Sequence, residues 1–272
     1  MIFSPWIIDF AIHPYDWSYQ TLFIAVLGVV IGACLGSFAH ATGWRLKRGI
    51  SVFSPSCCDH CQTPLAAISN IPVIGWIYSR GTCRYCQSPI PVMILWSELI
   101  MSLLVSFLMI SFDWPLSALL IMAITWLWII MISDADAMII DLRHIGLLGL
   151  TGMIMLGLTA DQLALFIAFS GMIVPAGCIY GLSLSYMMIR GKHGFGSADP
   201  WLLAAIGIWT GAIGGIMVFI FAAWIGVIYG FLVRVFTQRT IIILPFGVLL
   251  GISFITYIIA GWLWMLMSHT AY

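Results

Sequence analysis

The chain has 272 residues, of which 62% are hydrophobic and only 7% are charged, and its ten basic and ten acidic side chains leave no formal net charge. Soluble domains have roughly a quarter of their residues charged, so this composition excludes an ordinary soluble protein. It predicts an integral membrane protein in a lipid bilayer, and we expect no nucleic-acid partner.

Apolar runs of about 18 or more residues predict transmembrane helices, because a helix must cross roughly 30 Å of hydrocarbon with its backbone hydrogen bonds made internally. The predicted fold class is therefore an all-α polytopic membrane protein with about eight transmembrane helices. The short spans within 200–233 need a turn between them, for which Gly211, Gly214 and Gly215 are candidates. The predicted spans are residues 20–43, 93–111, 115–133, 145–160, 162–189, 200–216, 218–233 and 244–267.

Residues 1–19 precede the first span and are predicted to form an exposed, partly interfacial arm. Cytoplasmic loops collect Lys and Arg, and with the N-terminus outside all ten basic residues fall on the cytoplasmic side. We therefore expect both termini on the outer face. The opposite loops carry only acidic residues, namely Asp9, Asp16, Asp113 and Asp161.

Residues 44–92, after the first span, form the segment that is polar and long enough to fold outside the bilayer. Its two CxxC pairs have a spacing typical of a tetrahedral zinc ribbon, and an insert of this size gains stability from a metal. Cys57 leaves a one-residue ambiguity in the first pair. Disulfides are the alternative, but these residues are expected to face the reducing cytoplasm. The predicted zinc ligands are Cys58, Cys61, Cys83 and Cys86.

Several acidic residues lie at the ends of spans, where ionisable groups are costly and are therefore candidates for a functional site. Asp134 directly follows an apolar run, and Asp199 directly precedes one. Two such carboxyl groups in proximity would hold one proton between them, as aspartic proteases require. For Asp199 the alternative is a helix cap, because a proline follows it. Asp136 and Asp141 are also compatible with solvated loop charges, and Glu98 lies just inside another span.

Several segments of the chain, from about residue 28 to 255, resemble the type IV prepilin peptidases, which are aspartic proteases of the bacterial inner membrane. The segments GACLGSFAHATGWRL, CDHC, NIPVIGWIYSRGTCRYC and WSELI follow one another in the order found in that family. ILPFGVLLG resembles the family's Pro-Phe-Gly segment near the end of the chain. MISDADAMIIDLRHIGLL and GSAD resemble the segments that carry the two catalytic aspartates.

The resemblance implies that Asp134 and Asp199 are the catalytic pair and that residues 93–272 form the peptidase domain, with the zinc-binding insert on the cytoplasmic side. It implies cleavage of the basic leader of type IV prepilins or type II secretion pseudopilins, after a glycine at the cytoplasmic membrane face. Many members then methylate the new N-terminus with S-adenosylmethionine. The chain has no glycine-rich fingerprint for this methyl donor, so no residues are assigned to it. The implied location is the inner membrane, with both termini periplasmic.

The chain departs from the family pattern at several positions. His40 replaces an asparagine, Ile140 and Asp141 replace a Pro-Asp, and Ala198 replaces the second glycine before the second catalytic aspartate. An alanine that needed a positive φ there would be strained. The alternatives to a peptidase are a non-catalytic assembly factor with a zinc docking module and a proton-coupled transporter. The sequence does not indicate an oligomeric state.

Overall fold

A computed structural model describes residues 19–159, 162–192, 194–237 and 244–270. Its helices are α1 (Tyr19–Arg48), α2 (Ile74–Tyr78), α3 (Val92–Ser111), α4 (Leu116–Ala137), α5 (Leu142–Thr159), α6 (Gln162–Arg190), α7 (Asp199–Thr237) and α8 (Phe246–Thr270), with a 3₁₀ turn at Ala67–Asn70. The predicted arm, apart from Tyr19, lies outside the described residues, as do Asp9, Asp16, Asp161 and Arg239.

The all-α polytopic fold class is confirmed for the described part of the chain. Helices α1, α3, α4, α6, α7 and α8 are long and apolar enough to cross a membrane, and α5 is a shorter apolar helix. The described residues divide into two compact units, a first unit up to Asp113 and a second unit from Trp114 onward. Helix α3 belongs to the first unit, with α1 and the cysteine-containing insert.

The first unit depends on close packing between α1 and α3. Gly28, Gly32 and Gly36 are buried at intervals of four residues and form one face of α1. A Cβ atom at Gly28 would lie 2.6 Å from the Cα of Ser106, and one at Gly36 would lie 2.7 Å from the carbonyl oxygen of Ser97. Such small-residue faces let membrane helices approach at backbone distance, where dispersion and side-chain hydrogen bonds hold them. The Ser97 hydroxyl donates to the Gly36 carbonyl at 3.0 Å.

In the second unit, α6 crosses α7 at a pair of glycines. A Cβ atom at Gly171 of α6 would overlap the carbonyl oxygen of Gly207 in α7, and one at Gly207 would overlap that of Gly171. Helix α5 also packs on α7, where the Trp209 indole N–H donates to the Leu148 carbonyl at 3.2 Å. Helix α7 is therefore held closely on two sides.

Helix α7 is interrupted at Gly211, which has φ 71° and ψ 178°. A Cβ atom at Gly215 would lie 3.6 Å from the Cα of Gly207, whereas a continuous helix separates residues eight apart by about 12 Å. The chain therefore turns back sharply at Gly211, one of the three glycines expected to supply the turn. The first segment, 199–210, is shorter than the predicted span 200–216, and the second, 212–237, is longer than the predicted span 218–233.

We expect Gly171→Ala to destabilise the protein by about 1–3 kcal/mol, because the added methyl group would overlap backbone atoms of α7 that cannot rotate away. Thermal unfolding in detergent would measure the change. Gly181→Ala is the matched control on the same helix, because nothing lies within 4 Å of its Cβ position. Equal unfolding temperatures for the two variants would contradict the packing argument.

Candidate functional site

Asp134 lies in the last turn of α4, and its carboxylate meets the beginning of α8. Only 4% of Asp134 is exposed. The backbone N–H of Val248 donates to its Oδ2 atom at 3.2 Å, and the N–H of Gly247 also bonds this carboxylate. The first N–H groups of a helix have no partner within the helix and attract anions. Asp134 therefore caps α8 from another helix.

Gly247 allows this close approach. A Cβ atom there would lie 2.9 Å from both Oδ2 of Asp134 and Cδ1 of Ile140. Pro245 immediately precedes α8 and needs no N–H partner of its own. The Pro-Phe-Gly segment thus places two N–H donors against a buried carboxylate, with no room for a side chain at the glycine.

Asp199 is the first residue of α7 and is also 4% exposed. Its Oδ2 accepts the N–H of Gly196 at 2.8 Å, so the carboxylate bonds the preceding loop. The N–H of Asp199 donates to the Gly196 carbonyl at 3.2 Å. Asp199 therefore does not act as the helix cap considered above, because its carboxylate bonds the N–H of Gly196 in the preceding turn and no described N–H group of α7.

Asp134 and Asp199 both lie in the second unit, and their carboxyl groups are near enough to repel each other when both are ionised. Three phenylalanines connect the segments that carry them. The ring centroid of Phe195, in the loop before α7, lies 5.2 Å from that of Phe246 in α8 and 5.9 Å from that of Phe219 in α7. Because Phe246 adjoins the N–H groups that bind Asp134, this aromatic cluster ties both carboxylate supports together.

The loop before Asp199 carries no left-handed residue at the substituted position. Neither Gly196 nor Ala198 is among the residues with positive φ in the described part of the chain. The question raised by the missing glycine is thus settled, because alanine at 198 has an ordinary backbone. Close to Asp134, Met138 does have a left-handed backbone, with φ 54° and ψ 36°, and it ends α4.

Asp136 and Asp141 have other surroundings. Asp136 is exposed but lies in the last turn of α4, so the prediction that it belongs to a loop is wrong. Asp141 precedes α5, accepts the N–H of Arg143 at 2.9 Å and forms an ion pair with its guanidinium at 2.6 Å. The hydrogen bond from Arg143 lowers the pKa of Asp141 below its usual range. Asp141 thus caps the start of α5 and is paired with Arg143.

The four predicted metal ligands converge in the first unit. All four Sγ atoms lie within 4.8 Å of one another, with Cys58 to Cys86 at 3.8 Å and Cys61 to Cys83 at 3.9 Å. Tetrahedral zinc with bonds of 2.3 Å separates its sulfurs by about 3.8 Å, so the donors fit such an ion. All seven Cys residues are free thiols, which disagrees with disulfides, and Cys57 lies outside the cluster.

The two CxxC pairs lie on similar turns. In each, the N–H of the first cysteine donates to the carbonyl five residues later, at 3.0 Å for Cys58 and 2.9 Å for Cys83. The residue after each pair has a left-handed backbone, with φ 57° at Gln62 and 59° at Gln87. The pattern Cys-x-x-Cys-Gln-Thr/Ser-Pro occurs twice in the sequence, and this repeat is the sequence signal for the similarity of the two turns.

Local hydrogen bonds favour the thiolate, which is the form that binds metals, at Cys58 and Cys86, whereas burial and the neighbouring Cys58 thiol raise the pKa of Cys83. The backbone N–H of Cys61, the Ser88 hydroxyl and the backbone N–H of His60 lower the pKa of Cys58 to about 6. The Ser88 hydroxyl likewise lowers the pKa of Cys86, and its Oγ lies 3.1 Å from the Sγ atom. The cluster is therefore prepared to hold a divalent metal ion.

Glu98 and His40 lie in the first unit, whereas Asp134 and Asp199 belong to the second. Glu98 is 4% exposed, and its Oε2 accepts the Val73 N–H at 2.6 Å. Sequence reasoning gave neither this contact nor the Gly247 and Val248 contact with Asp134. The Pro-Phe-Gly segment at the start of a predicted helix was the sequence signal for the contact of Gly247 and Val248 with Asp134.

Residues 30–112 match the family model described as Bacterial Peptidase A24 N-terminal domain, and residues 121–231 match that of the Type IV leader peptidase family. The spanning helices, the four-cysteine cluster and the buried carboxyl groups define the class as a multi-pass membrane protein with an insert able to hold a metal ion. The chain belongs to the Type IV leader peptidase family.

Three relatives illustrate the similarity. The Prepilin leader peptidase/N-methyltransferase of Aeromonas hydrophila is 28% identical over 221 residues, covering 73% of this chain and 76% of the relative. The Type 4 prepilin-like proteins leader peptide-processing enzyme of Escherichia coli O78:H11 (strain H10407 / ETEC) is 31% identical over 257 residues, covering 84% and 91%. The Prepilin leader peptidase/N-methyltransferase of Neisseria gonorrhoeae is 28% identical over 240 residues, covering 76% and 81%.

No solved structure gives a significant match to the chain. The predicted family is confirmed, and so is the prediction of an enzyme of the prepilin peptidase kind with methyltransferase activity.

We expect Gly247→Ala to lower the rate of prepilin cleavage about ten- to hundredfold, because a methyl group at this position displaces the Asp134 carboxylate, and small displacements at a reacting centre have effects of this size. Gly230→Ala in α7 is the control, because nothing lies within 4 Å of its Cβ position. Cleavage in detergent extracts, normalised to folded protein, would measure both rates. A Gly247→Ala enzyme as fast as Gly230→Ala would show that this approach does not matter.

Proposed function

We propose that this protein removes the leader peptide of type IV prepilins or type II secretion pseudopilins and then methylates the new N-terminus. The family and the names of the relatives support both steps. The observation that carries the proposal is the presence in one unit of two buried, mutually repelling carboxyl groups, Asp134 and Asp199, each bonded by backbone N–H donors.

The carboxyl pair would act as in aspartic proteases. Two carboxyl groups in proximity hold one proton between them, so one member is ionised and the other is protonated. The ionised member takes a proton from water, and the water oxygen attacks the peptide carbonyl carbon while the protonated member donates to the carbonyl oxygen. The C–N bond then breaks, and a proton passes to the leaving amine. Because the pair titrates as a unit, we assign these roles to the pair.

The proposed substrate fits a site at helix ends. The Asp134 carboxylate lies in the last turn of α4 and Asp199 in the first turn of α7, which supports cleavage at a membrane face. An apolar substrate helix would lie in the bilayer with its basic leader outside. The distribution of Lys and Arg favours the cytoplasmic face of the inner membrane for this site, with periplasmic termini.

We further propose that the four-cysteine cluster holds a structural zinc ion. The convergence of four Sγ atoms supports this choice over a redox site, which needs only two. In the methylation step, the new amino group would lose a proton and take the methyl group of S-adenosylmethionine, which leaves as the neutral thioether S-adenosylhomocysteine.

We expect Asp134→Asn and Asp199→Asn each to slow leader cleavage by about 10²–10⁴-fold, because an amide neither takes nor gives the required proton. Asp134→Asn keeps an oxygen acceptor for the α8 N–H groups and should unfold at a temperature close to that of the wild type, whereas Asp134→Ala should unfold earlier. Mass spectrometry of the processed prepilin would report the cut.

The exposed Asp136, two residues from Asp134, provides the control variant Asp136→Asn, which should cleave within about twofold of the wild type. If both Asp134→Asn and Asp199→Asn cut at the wild-type rate, the carboxyl pair is not the catalytic centre.

We expect purified protein to contain about one zinc ion per chain. Cys83→Ser should remove at least half of it, because the cluster loses a thiolate, while Cys57→Ser should retain it. Metal content by plasma mass spectrometry measures this directly. Acidification should release the metal as the thiolates are protonated. A metal-free wild type, or equal losses in the two variants, would contradict the assignment.

A further inference from the structure

The short helix α2 of the cysteine-containing insert has an exposed apolar face. Ile74 is 56% exposed, Ile77 is 60% exposed and Tyr78 is 47% exposed. Residues three and four apart lie on one side of a helix, so these three side chains form a single face. Grouped exposed apolar side chains mark a surface that meets a protein or a membrane. The position of α2 in the first unit distinguishes between the two.

A buried hydrogen bond places the start of α2 beside the spanning part of α3. The Glu98 Oε2 atom accepts the N–H of Val73, the residue before α2, at 2.6 Å. Glu98 lies about 9 Å along α3 from its first residue, Val92. The 20 residues of α3 extend about 30 Å, which is the thickness of the hydrocarbon, so α3 begins at the hydrocarbon boundary. Val73 is therefore held within the depth of the bilayer.

Helix α1 indicates the same depth. The Ser37 side chain bonds the Glu98 carboxylate, and Ser37 lies about 12 Å before Arg45, which belongs to the basic last turn of α1. Basic residues at the end of a spanning helix lie in the headgroup region. Two spanning helices thus place the turn at Val73 deeper than the level at which α1 leaves the bilayer.

A tight turn fixes the direction of α2. Val73 has φ 63° and ψ −54°, and the Ile74 N–H donates to the Pro72 carbonyl at 2.6 Å, which together form a γ-turn with positive φ. This conformation is strained for a β-branched residue and persists only where the surroundings hold it. The hydrogen bond from Val73 to Glu98 holds it here. The exposed face of α2 is therefore a fixed feature of the first unit.

The insert around this face is basic. Residues 44–92 include five basic side chains and a single acidic one, Asp59. Arg80 and Arg84 follow α2 and are exposed, and the Arg84 guanidinium carbon lies 4.6 Å from the centroid of the Tyr78 ring. Anionic headgroups attract basic residues near the membrane, and tyrosine is common at the boundary between headgroups and acyl chains. This charge favours an anionic lipid surface over a basic peptide as the partner of the face.

We propose that α2 is an interfacial anchor that docks the insert on an anionic phospholipid bilayer. Ile74 and Ile77 enter the boundary of the acyl chains, Tyr78 lies at the headgroups, and Arg80 and Arg84 bind lipid phosphates. An apolar face with basic flanks that lies in the interface plane has this mode of binding. The anchor is independent of the proposed peptidase and methylation steps.

Photochemical crosslinking of the full chain tests the depth of α2. A diazirine amino acid replaces Ile77, or Ile74 in a second variant, and the protein is reconstituted in nanodiscs of phosphatidylcholine and phosphatidylglycerol. Mass spectrometry after illumination measures the yield of lipid adducts. Leu103, which is 70% exposed on α3, is the lipid-facing reference position. We expect yields at Ile74 and Ile77 of at least half the yield at Leu103.

Phe53 is the matched control in the same insert. It is 96% exposed, and Arg45 donates to the carbonyls of Val52 and Ser54 on either side of it. Phe53 thus lies near the last turn of α1, about 12 Å farther along that helix than Ser37. Its lipid adducts should be at least fivefold fewer than those at Ile77. Thermal unfolding shows whether each labelled protein is folded.

The charge of the lipid gives a second measurement. Phosphatidylglycerol should form at least twice its share of the adducts at Ile77, and Arg80→Gln combined with Arg84→Gln should return it to its share in the bilayer without lowering the total yield. The anchor is overturned if folded Ile74 and Ile77 variants give no more lipid adducts than Phe53, or if they crosslink to a second copy of the chain or to another protein. An unbiased lipid share in the unmutated background would overturn the role of the two arginines.

Discussion

The arrangement of the second unit depends on one constraint, which is that a carboxylate surrounded by apolar helices needs hydrogen-bond donors from the protein. A helix interior offers none, because its N–H groups are already used. Asp134 meets the requirement with the first N–H groups of α8, and Asp199 does so with the loop before α7. Both carboxylates therefore lie at helix ends, which is where the proposed cleavage would take place.

Close contact between helix backbones brings those ends together. Lipid offers no hydrophobic drive for helix association, so packing distance matters more than in a soluble core. Gly171 and Gly207 let α6 and α7 touch, and the break at Gly211 returns the chain so that Phe219 meets Phe195 and Phe246. The rings then join the supports of the two carboxylates. Small residues far from the carboxylates thus determine their separation.

Much of this organisation could be predicted from the sequence, and the exceptions have physical reasons. The apolar runs predicted the helices because crossing hydrocarbon requires them, and the CxxC spacing predicted the cluster because it places two thiolates on one turn. The Asp134 and Asp199 pair depended on a family resemblance, since periodicity does not reveal contacts between residues so far apart. The break in α7 was expected among three glycines, but its position depends on the contact with α6.

The four-cysteine cluster belongs to a segment that packing alone would hold weakly. Cys83 is a member of the cluster and also lines a cavity of the first unit, and the Val73 N–H of the same insert bonds Glu98 near the beginning of α3. An insert of about 50 residues has too small a core to keep such contacts in place by itself. A metal ion that joins the two cysteine turns would therefore stabilise both the insert and its contact with α3.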